Sequence, residues 1–247
     1  MRVIILAAGK GERLYPLTKN TPKSLLEIGH GKTVLESQLE NIASCGIRDV
    51  TIVTGYKTEQ IEAKVKDIDF LDITICYNPF YATSNNLISA WLAIRETSEN
   101  FVLVNGDDIF KRKVLEGLLK SPNDITMVID RKEKYDEDDM KVVTDGELVL
   151  KVSKEIPVEE ANGESIGMIL FRRKGRSIIR ETLERMVRVE ENKKIFYLAA
   201  LQNIMDKGYP VHFHECSPQD WAEIDFHSDL SFIRRHINRY ASEVVGV

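Results

Sequence analysis

Val3-Ile4-Ile5-Leu6-Ala7-Ala8-Gly9-Lys10-Gly11-Glu12-Arg13, at the head of a 247-residue chain, joins a short apolar run directly to a loop of small and charged residues. Four consecutive aliphatic residues bounded by alanine and glycine read as a buried strand, and residues 33–45 have the period of a helix. The alternation repeats outward from there. Residues 50–54, 73–77 and 101–105 read as strands, and 57–66, 85–98 and 111–120 as the helices between them. Strand, crossover, strand, repeated from the first residues, implies an α/β fold: a mostly parallel sheet covered on both faces. Ligands of such sheets sit at the carboxyl ends of the strands, so chemistry is expected in the loops after Leu6, Thr54, Tyr77 and Asn105.

Beyond about residue 124 the rhythm changes. Residues 142–150 place two short strands around Asp145-Gly146, a strong hairpin signal. Helices are expected at 174–189 and 195–207 and strands at 210–215 and 221–225. A last helix is expected to start at Ser228 as N-cap, with Leu230, Ile233, Ile237, Tyr240 and Val244 on one packing face. No repeat or low-complexity linker interrupts the chain, so one domain over residues 1–247 with a small antiparallel elaboration is expected. Hydrophobic residues make up 43%, and the three cysteines (Cys45, Cys76, Cys216) are scattered, which excludes disordered, collagen-like and disulfide-dense classes and suggests a reducing compartment. The apolar opening is too short for a signal sequence and no stretch has the length of a membrane span, so a soluble cytoplasmic protein is expected. A net charge of -5 argues against nucleic acid as the main partner.

The opening loop matches neither of two common phosphate motifs. A P-loop needs Gly-Lys-Ser/Thr, and a dinucleotide fingerprint needs a third glycine where Leu14 stands. Ala7, Ala8, Gly9 and Gly11 still let backbone N–H groups approach phosphate oxygens, with Lys10 and Arg13 to neutralise charge. A tight turn with solvated charges would look the same. The neighbourhood is basic: Arg2, Lys10, Arg13, Lys19 and Lys23 stand against Glu12 alone, and Pro22 stiffens the backbone just before Lys23.

Acids follow at a matching place. The run Phe101-Val102-Leu103-Val104-Asn105-Gly106-Asp107-Asp108 is a strand ending in paired carboxylates. Asp107 is a candidate Mg2+ ligand, since Mg2+ keeps most of its waters and takes one or two carboxylates plus phosphate oxygens. Asp108 would point the other way, to cap a turn or meet a second substrate. In Trp221-Ala222-Glu223-Ile224-Asp225 the two acids share a strand face, as they would in any half-buried strand or in a metal site. No Ser/His/Asp or Cys/His arrangement emerges, because His212, His214, His227 and His236 lie late and His30 sits in a probable turn.

Residues 6–13 followed by Pro22-Lys23 resemble the signature of the nucleotidyltransferases that join a nucleoside triphosphate to a phosphorylated sugar or alcohol and release pyrophosphate. The order of motifs is similar over essentially the whole chain. Within that superfamily, residues 81–87, 138–142 and 221–225 resemble the CTP-dependent branch: CTP:inositol-1-phosphate cytidylyltransferases first, bacterial phosphocholine cytidylyltransferases next. The resemblance implies a three-layer Rossmann-like fold of nucleotide-diphospho-sugar transferase type, with a nucleotide-binding half (about 1–123) and an acceptor half (about 124–247). It implies Mg2+ as cofactor, and CTP and a phosphorylated alcohol as substrates.

The implied nucleotide site comprises Leu6, Ala7, Ala8, Gly9, Lys10, Gly11, Glu12, Arg13, Lys23, Asn85, Asn86 and Asp107. Arg13 with Lys10 would hold the β and γ phosphates, and Lys23 would bridge the α phosphate and the incoming one. Asp107 and Asp225 would hold the metal, with Glu223 as an alternative or additional ligand. Arg13, Lys23, Asp107 and Asp225 are thus the expected catalytic set. Asp108, Lys141, Lys154 and Glu164 are acceptor candidates, though Lys154 could equally be a surface lysine. Asn85 and Asn86 could read a pyrimidine edge or simply cap the helix that Ser84-Asn85-Asn86 opens. Choline would want an aromatic cage, which Tyr81, Trp91, Tyr135, Tyr197 and Trp221 could supply. Inositol would want polar groups, for which Asp108, Asp130, Asp139 and Glu164 are available. A sugar 1-phosphate with UTP or dTTP remains an alternative, as does a catalytically silent nucleotide-binding regulatory domain. Because the chain ends at Val247 without a span, a membrane synthase consuming the product would be a separate protein.

Overall fold

The computed structural model describes residues 1–240. In chain order, β1 (Arg2–Leu6) leads into three single turns of 3-10 helix, Glu12–Leu14, Leu17–Lys19 and Lys23–Leu25. The small hairpin β2 (Glu27–Gly29) and β3 (Lys32–Thr33) follows, then α1 (Val34–Ser44), β4 (Asp49–Thr54), α2 (Thr58–Val65), β5 (Asp72–Tyr77) and α3 (Asn86–Arg95). Next come β6 (Phe101–Asn105), β7 (Asp108–Phe110), α4 (Arg112–Leu119), β8 (Ile125–Asp130), β9 (Lys141–Asp145), β10 (Leu148–Ser153) and β11 (Gly163–Phe171). The chain closes with α5 (Arg173–Met186), α6 (Leu198–Asp206), β12 (His212–Glu215), β13 (Trp221–Glu223) and α7 (His227–Arg235).

Nine strands form one sheet in the order β5-β4-β1-β6-β11-β8-β12-β10-β9. β1 pairs in parallel with β4 and β6, β4 with β5, and β8 with β12. β11 runs against both β6 and β8, and the hairpin β9–β10 is the antiparallel elaboration at the far edge. Helices cover both faces, giving three layers. One apolar core gathers α3, α5 and α6 on one face, and a second gathers α1, α2 and α4 on the other. Val3, Ile4 and Ile5 are wholly buried because β1 has a strand on each side and a helical layer on each face. The register sets Leu6 beside Val53 and Asn105, so the loops after β1, β4 and β6 leave the sheet together.

Two strands of this sheet, β8 and β11, were not anticipated, nor were the short strands β2, β3 and β7 outside it. All nine residues of β11 are buried, yet it contains Glu164, Ser165 and Gly167 and lacks a clean period. The last helix begins one residue before Ser228, with Phe226 in the N-cap position. Asp229, not Ser228, supplies the cap: its carboxylate accepts from the N–H groups of Phe226 (2.7 Å) and Asp225 (2.9 Å). Leu230, Ile233, Ile237 and Tyr240 do pack together, but α7 ends at Arg235 and a 3-10 turn, Ile237–Arg239, carries the last two. Val244 lies outside the described residues. Among the described residues no helix is long and apolar enough to cross a membrane.

Candidate active site

The loop after Leu6 is anchored by its own backbone. Ala7 N–H donates to Val53 O (2.8 Å) and Tyr56 N–H to Ala8 O (3.1 Å), which ties residues 7–8 to the end of β4. Gly11 then turns in the left-handed region (φ 63°), where a side chain would be strained, and Thr18 Oγ1 donates to its carbonyl at 2.6 Å. The turn sends the chain through three short helical turns back to Lys23. From this far side of the loop Lys23 reaches the acids.

Lys23 Nζ lies 2.6 Å from Asp107 Oδ2 and 2.6 Å from Asp225 Oδ1. Burial alone would lower the pKa of this ammonium, but the charges of Asp107, Asp225 and Glu223 outweigh it and hold it above the ordinary lysine range. Asp107 leaves β6 through Gly106, while Glu223 ends β13, which pairs with β7 so that Glu223 stands opposite Asp108. The strand stops there, so Asp225 does not share a strand face with Glu223. It reaches the same spot through the bend that Ile224 N–H makes to Asp107 O (3.2 Å). One oxygen from each of Asp107, Glu223 and Asp225 lies within 4.8 Å of the others, a spacing that suits a single divalent cation. Burial first, then Asp107 and Asp225, push the Glu223 carboxyl up to about 8.

Two more cations face this cluster. Arg13 Nη2 lies 3.0 Å from Asp225 and Nη1 2.7 Å from Asp138, with the guanidinium 5.2 Å from the centre of the Phe226 ring. Lys154 Nζ reaches Asp138 at 3.0 Å from the opposite side and lies 5.5 Å from the Phe196 ring. Asp138 thus bridges a cation of the first half of the chain to one of the second.

Farther along the same cleft, β8 and β11 place Glu164 directly opposite Asp130. Lys132 Nζ pairs with Asp139 (3.0 Å) and with Glu164, and the Trp221 indole donates to Asp130 Oδ2 at 2.7 Å. Burial pushes the Glu164 carboxyl from an ordinary 4.5 up to about 8 against the opposing charge of Lys132. The folded protein therefore binds a proton there that the unfolded chain releases above pH 4.5, so this group makes stability fall as pH rises from about 4.5 to 8. Thermal melts of Glu164→Gln should accordingly show a flatter decline between pH 6 and 8 than those of the wild type. An identical slope in the two proteins would contradict the assignment.

The cleft encloses about 920 Å³ and is lined by residues 6–13, Lys23, Asn85, Asn86, Asp107, Lys154, Glu164, Glu223 and Asp225, so most expected site residues do converge. Asp108 does not line it. The chain reverses after Gly106 into β7, and this buries Asp108 with both carboxylate oxygens unpartnered among the described residues; burial first, then Asp107 and Glu223, raise its pKa well above the carboxylate range. Lys141 does not line the cleft either. Trapped between β10 and β11, it donates to the carbonyls of Asp136 (3.1 Å), Glu137 (3.1 Å) and Asp139 (3.4 Å), and so shapes the loop that carries Asp138. Lys141→Met should strand these carbonyls and cost about 1–3 kcal/mol in a denaturation experiment. Arg2 lies at the amino end of β1 with Asp49 and Glu99, away from the basic loop. Asn85 is the N-cap of α3, its Oδ1 accepting from Asn86 N–H (2.7 Å), and Asn86 Oδ1 accepts from Tyr197 N–H (2.8 Å). These bonds occupy the oxygen of each amide, and Asn85 Nδ2 also donates to Lys194 O (3.3 Å), even though both residues line the cleft.

Residues 2–144 match the Nucleotidyl transferase family. The chain belongs to that family. It is 35% identical to the choline-phosphate cytidylyltransferase of Streptococcus pneumoniae over 121 residues, 49% of this chain and 51% of that one, so the match spans about half the length of that relative. The CTP:phosphoglutamine cytidylyltransferase of Campylobacter jejuni is 23% identical over 93% of this chain and 98% of its own. The fold of this nucleotidyl transferase superposes on the inositol-1-phosphate CTP transferase of T. maritima with a TM-score of 0.82 at 21% identity, covering 100% and 98% of the two chains.

Lys132 was not among the candidates. It lies in the polar run Arg131-Lys132-Glu133-Lys134, which reads as a solvated loop, and only its position just past β8 could have drawn attention to it.

Proposed function

We propose that this nucleotidyl transferase moves CMP from CTP to a small phosphorylated alcohol, inositol 1-phosphate foremost, and releases pyrophosphate. The observation that carries the reading is the order of groups along one cleft. A glycine-rich loop ending in Arg13 lines one part of it; Arg13 and Lys23 meet the cluster of Asp107, Glu223 and Asp225, and Lys154 joins Arg13 through Asp138. A pocket of Asp130, Lys132 and Glu164 lines another part. Cations between two recognition sites are what a reaction between two phosphates requires.

An acceptor phosphate with a second pKa of about 6 is a dianion at neutral pH and needs no protein base. One of its oxygens bonds to the α phosphorus of CTP as the bond from that phosphorus to the β-phosphate oxygen breaks, and pyrophosphate leaves with the electron pair. Arg13 and Lys10 would bind the β and γ phosphates, and Lys23 would leave its carboxylates to hold the α and acceptor phosphates together. Lys154 would meet the acceptor phosphate from the second half of the chain. Such preorganised charges relieve the repulsion between two anions. The donor set of Asp107 and Asp225, with Glu223, fits Mg2+, which when bound would supply neutralising charge at the phosphates.

Support for cytosine comes from the relatives named for CTP. Support for a polyol comes from the acceptor end, where polar groups dominate. Trp91 is engaged elsewhere with Glu184 and Arg95 and Tyr135 lies outside the cleft; Tyr81, Tyr197 and Trp221 do line it, but the Tyr197 hydroxyl is spent on Gly167 O and the Trp221 indole N–H on Asp130. The test is pyrophosphate release with CTP, UTP or dTTP against inositol 1-phosphate, phosphocholine and glucose 1-phosphate. CTP with inositol 1-phosphate should be the fastest pair. Silence in every combination would favour a nucleotide-binding module, and UTP with glucose 1-phosphate as the fastest pair would move the protein to the sugar branch.

A further inference from the structure

The acceptor end of the cleft contains more chemistry than binding a phosphate requires. Asp130 is 1% exposed. Asp130 lines the cleft; one of its oxygens takes the Trp221 indole N–H, which fixes the carboxylate, and the other, Oδ1, lies beside Glu164 and has no donor among the described residues other than that carboxyl when it carries its proton. Glu164 faces it across the β8–β11 ladder and is also buried. Lys132 completes the group, its ammonium held by Asp139 and Glu164. An ammonium has three protons, so one remains for a ligand.

We propose that Asp130 and Lys132 together select the alcohol part of the acceptor, taking neighbouring hydroxyl groups of a polyol phosphate and rejecting a quaternary ammonium. This rests on the proposed nucleotidyl transfer and adds to it the residues that choose the substrate. A hydroxyl both donates and accepts, so one diol can give a proton to Asp130 Oδ1 and take one from Lys132 Nζ. A trimethylammonium group has no proton to donate, offers the buried Asp130 oxygen no hydrogen bond, and meets the positive charge of Lys132. Of the acids that would otherwise attract it, Asp139 is paired with that lysine and Glu164 holds a proton below about pH 8. Trp221 acts as a positioning residue: it orients Asp130 and starts the strand whose end bears Glu223, so the acceptor pocket and the acid cluster are built on one short element.

The experiment compares kcat/KM for inositol 1-phosphate and phosphocholine in wild type, Lys132→Met, Lys132→Arg and Asp130→Asn, with CTP affinity by calorimetry as a control for an intact nucleotide site. Lys132→Met should lower kcat/KM for inositol 1-phosphate by at least about tenfold, leave or raise that for phosphocholine, and keep CTP affinity; Lys132→Arg should recover most of the loss. Asp130→Asn keeps an acceptor for Trp221 but puts an amide in place of Oδ1, and should move the ratio the same way. If Lys132→Met fails to fold, Asp130→Asn decides alone. An unchanged ratio in a variant that still binds CTP would overturn the inference. Should the wild type turn over neither acceptor, the proposed function falls, and calorimetry with inositol 1-phosphate still decides this one. Binding by the wild type that the variants lose would sustain it, and no binding by the wild type would overturn it.

Discussion

Replacing Lys23 by methionine should lower turnover by on the order of a hundredfold or more, a loss of about 3 kcal/mol in transition-state stabilisation. The side chain nearly keeps its length, so the change isolates the charge. Lys23 Nζ sits 2.6 Å from each of two carboxylates that lie far apart in the sequence, and Pro22 restricts the backbone from which it extends. Its removal leaves Asp107, Glu223 and Asp225 facing one another without the lysine that pairs with two of them, and it removes the group proposed to bridge two phosphates. The variant should therefore also be less stable than wild type above about pH 8, where Glu223 joins the other two acids in the charged state, and this gap should narrow as pH falls. Steady-state pyrophosphate release and melts at pH 6 and 9 check both parts. Near-normal turnover by a folded variant would remove Lys23 from the catalytic set.

The second large effect is expected from a position with no functional group. A Cβ on Gly106 would stand 2.6 Å from Leu6 O and 2.9 Å from Ala7 Cβ, and the Gly106 N–H already donates to that same Leu6 carbonyl at 2.9 Å. The nearest obstacle is backbone, which cannot rotate away. Gly106→Ala should thus push the glycine-rich loop away from the segment carrying Asp107 and cost about 1–3 kcal/mol of stability, as overpacking does. Turnover should suffer more than stability, because displacing reacting groups by about 1 Å can cost around a hundredfold. Wild-type kinetics together with a wild-type melting temperature would show that the two loops do not depend on this contact.

How far the sequence could be read follows from where each signal comes from. β1, β4 and β6 were legible because strands buried on both faces are largely apolar, and the edge strand β5 because Ile73 and Ile75 alternate with Asp72 and Thr74; the glycine-rich loop and Asp107 were legible because each follows a strand's carboxyl end, and Lys23 because it stands after Pro22 in a basic run. β11 was not, since a strand that enters antiparallel between β6 and β8 is specified by distant partners and includes Glu164 and Gly167 for its own reasons. Asp108 lies outside the cleft that Asp107 lines, and its place depends on β7 pairing with β13, two segments more than a hundred residues apart. The surroundings of Lys141 and Lys132 were hidden from the sequence in complementary ways. A lysine beginning a strand gives no sign that three carbonyls will surround it, and a lysine in a charged loop gives none that a buried glutamate waits for it.

The central claim is that the two recognition ends of this cleft meet over Lys23 to join two phosphates. Phosphorus NMR of the protein with CTP, Mg2+ and inositol 1-phosphate tests it most directly. The account predicts that the inositol 1-phosphate and CTP signals decline together while pyrophosphate and a pair of mutually coupled phosphorus signals from CDP-inositol grow in equal amounts. CTP and inositol 1-phosphate left unchanged, or CTP hydrolysed with no coupled pair formed, would contradict it.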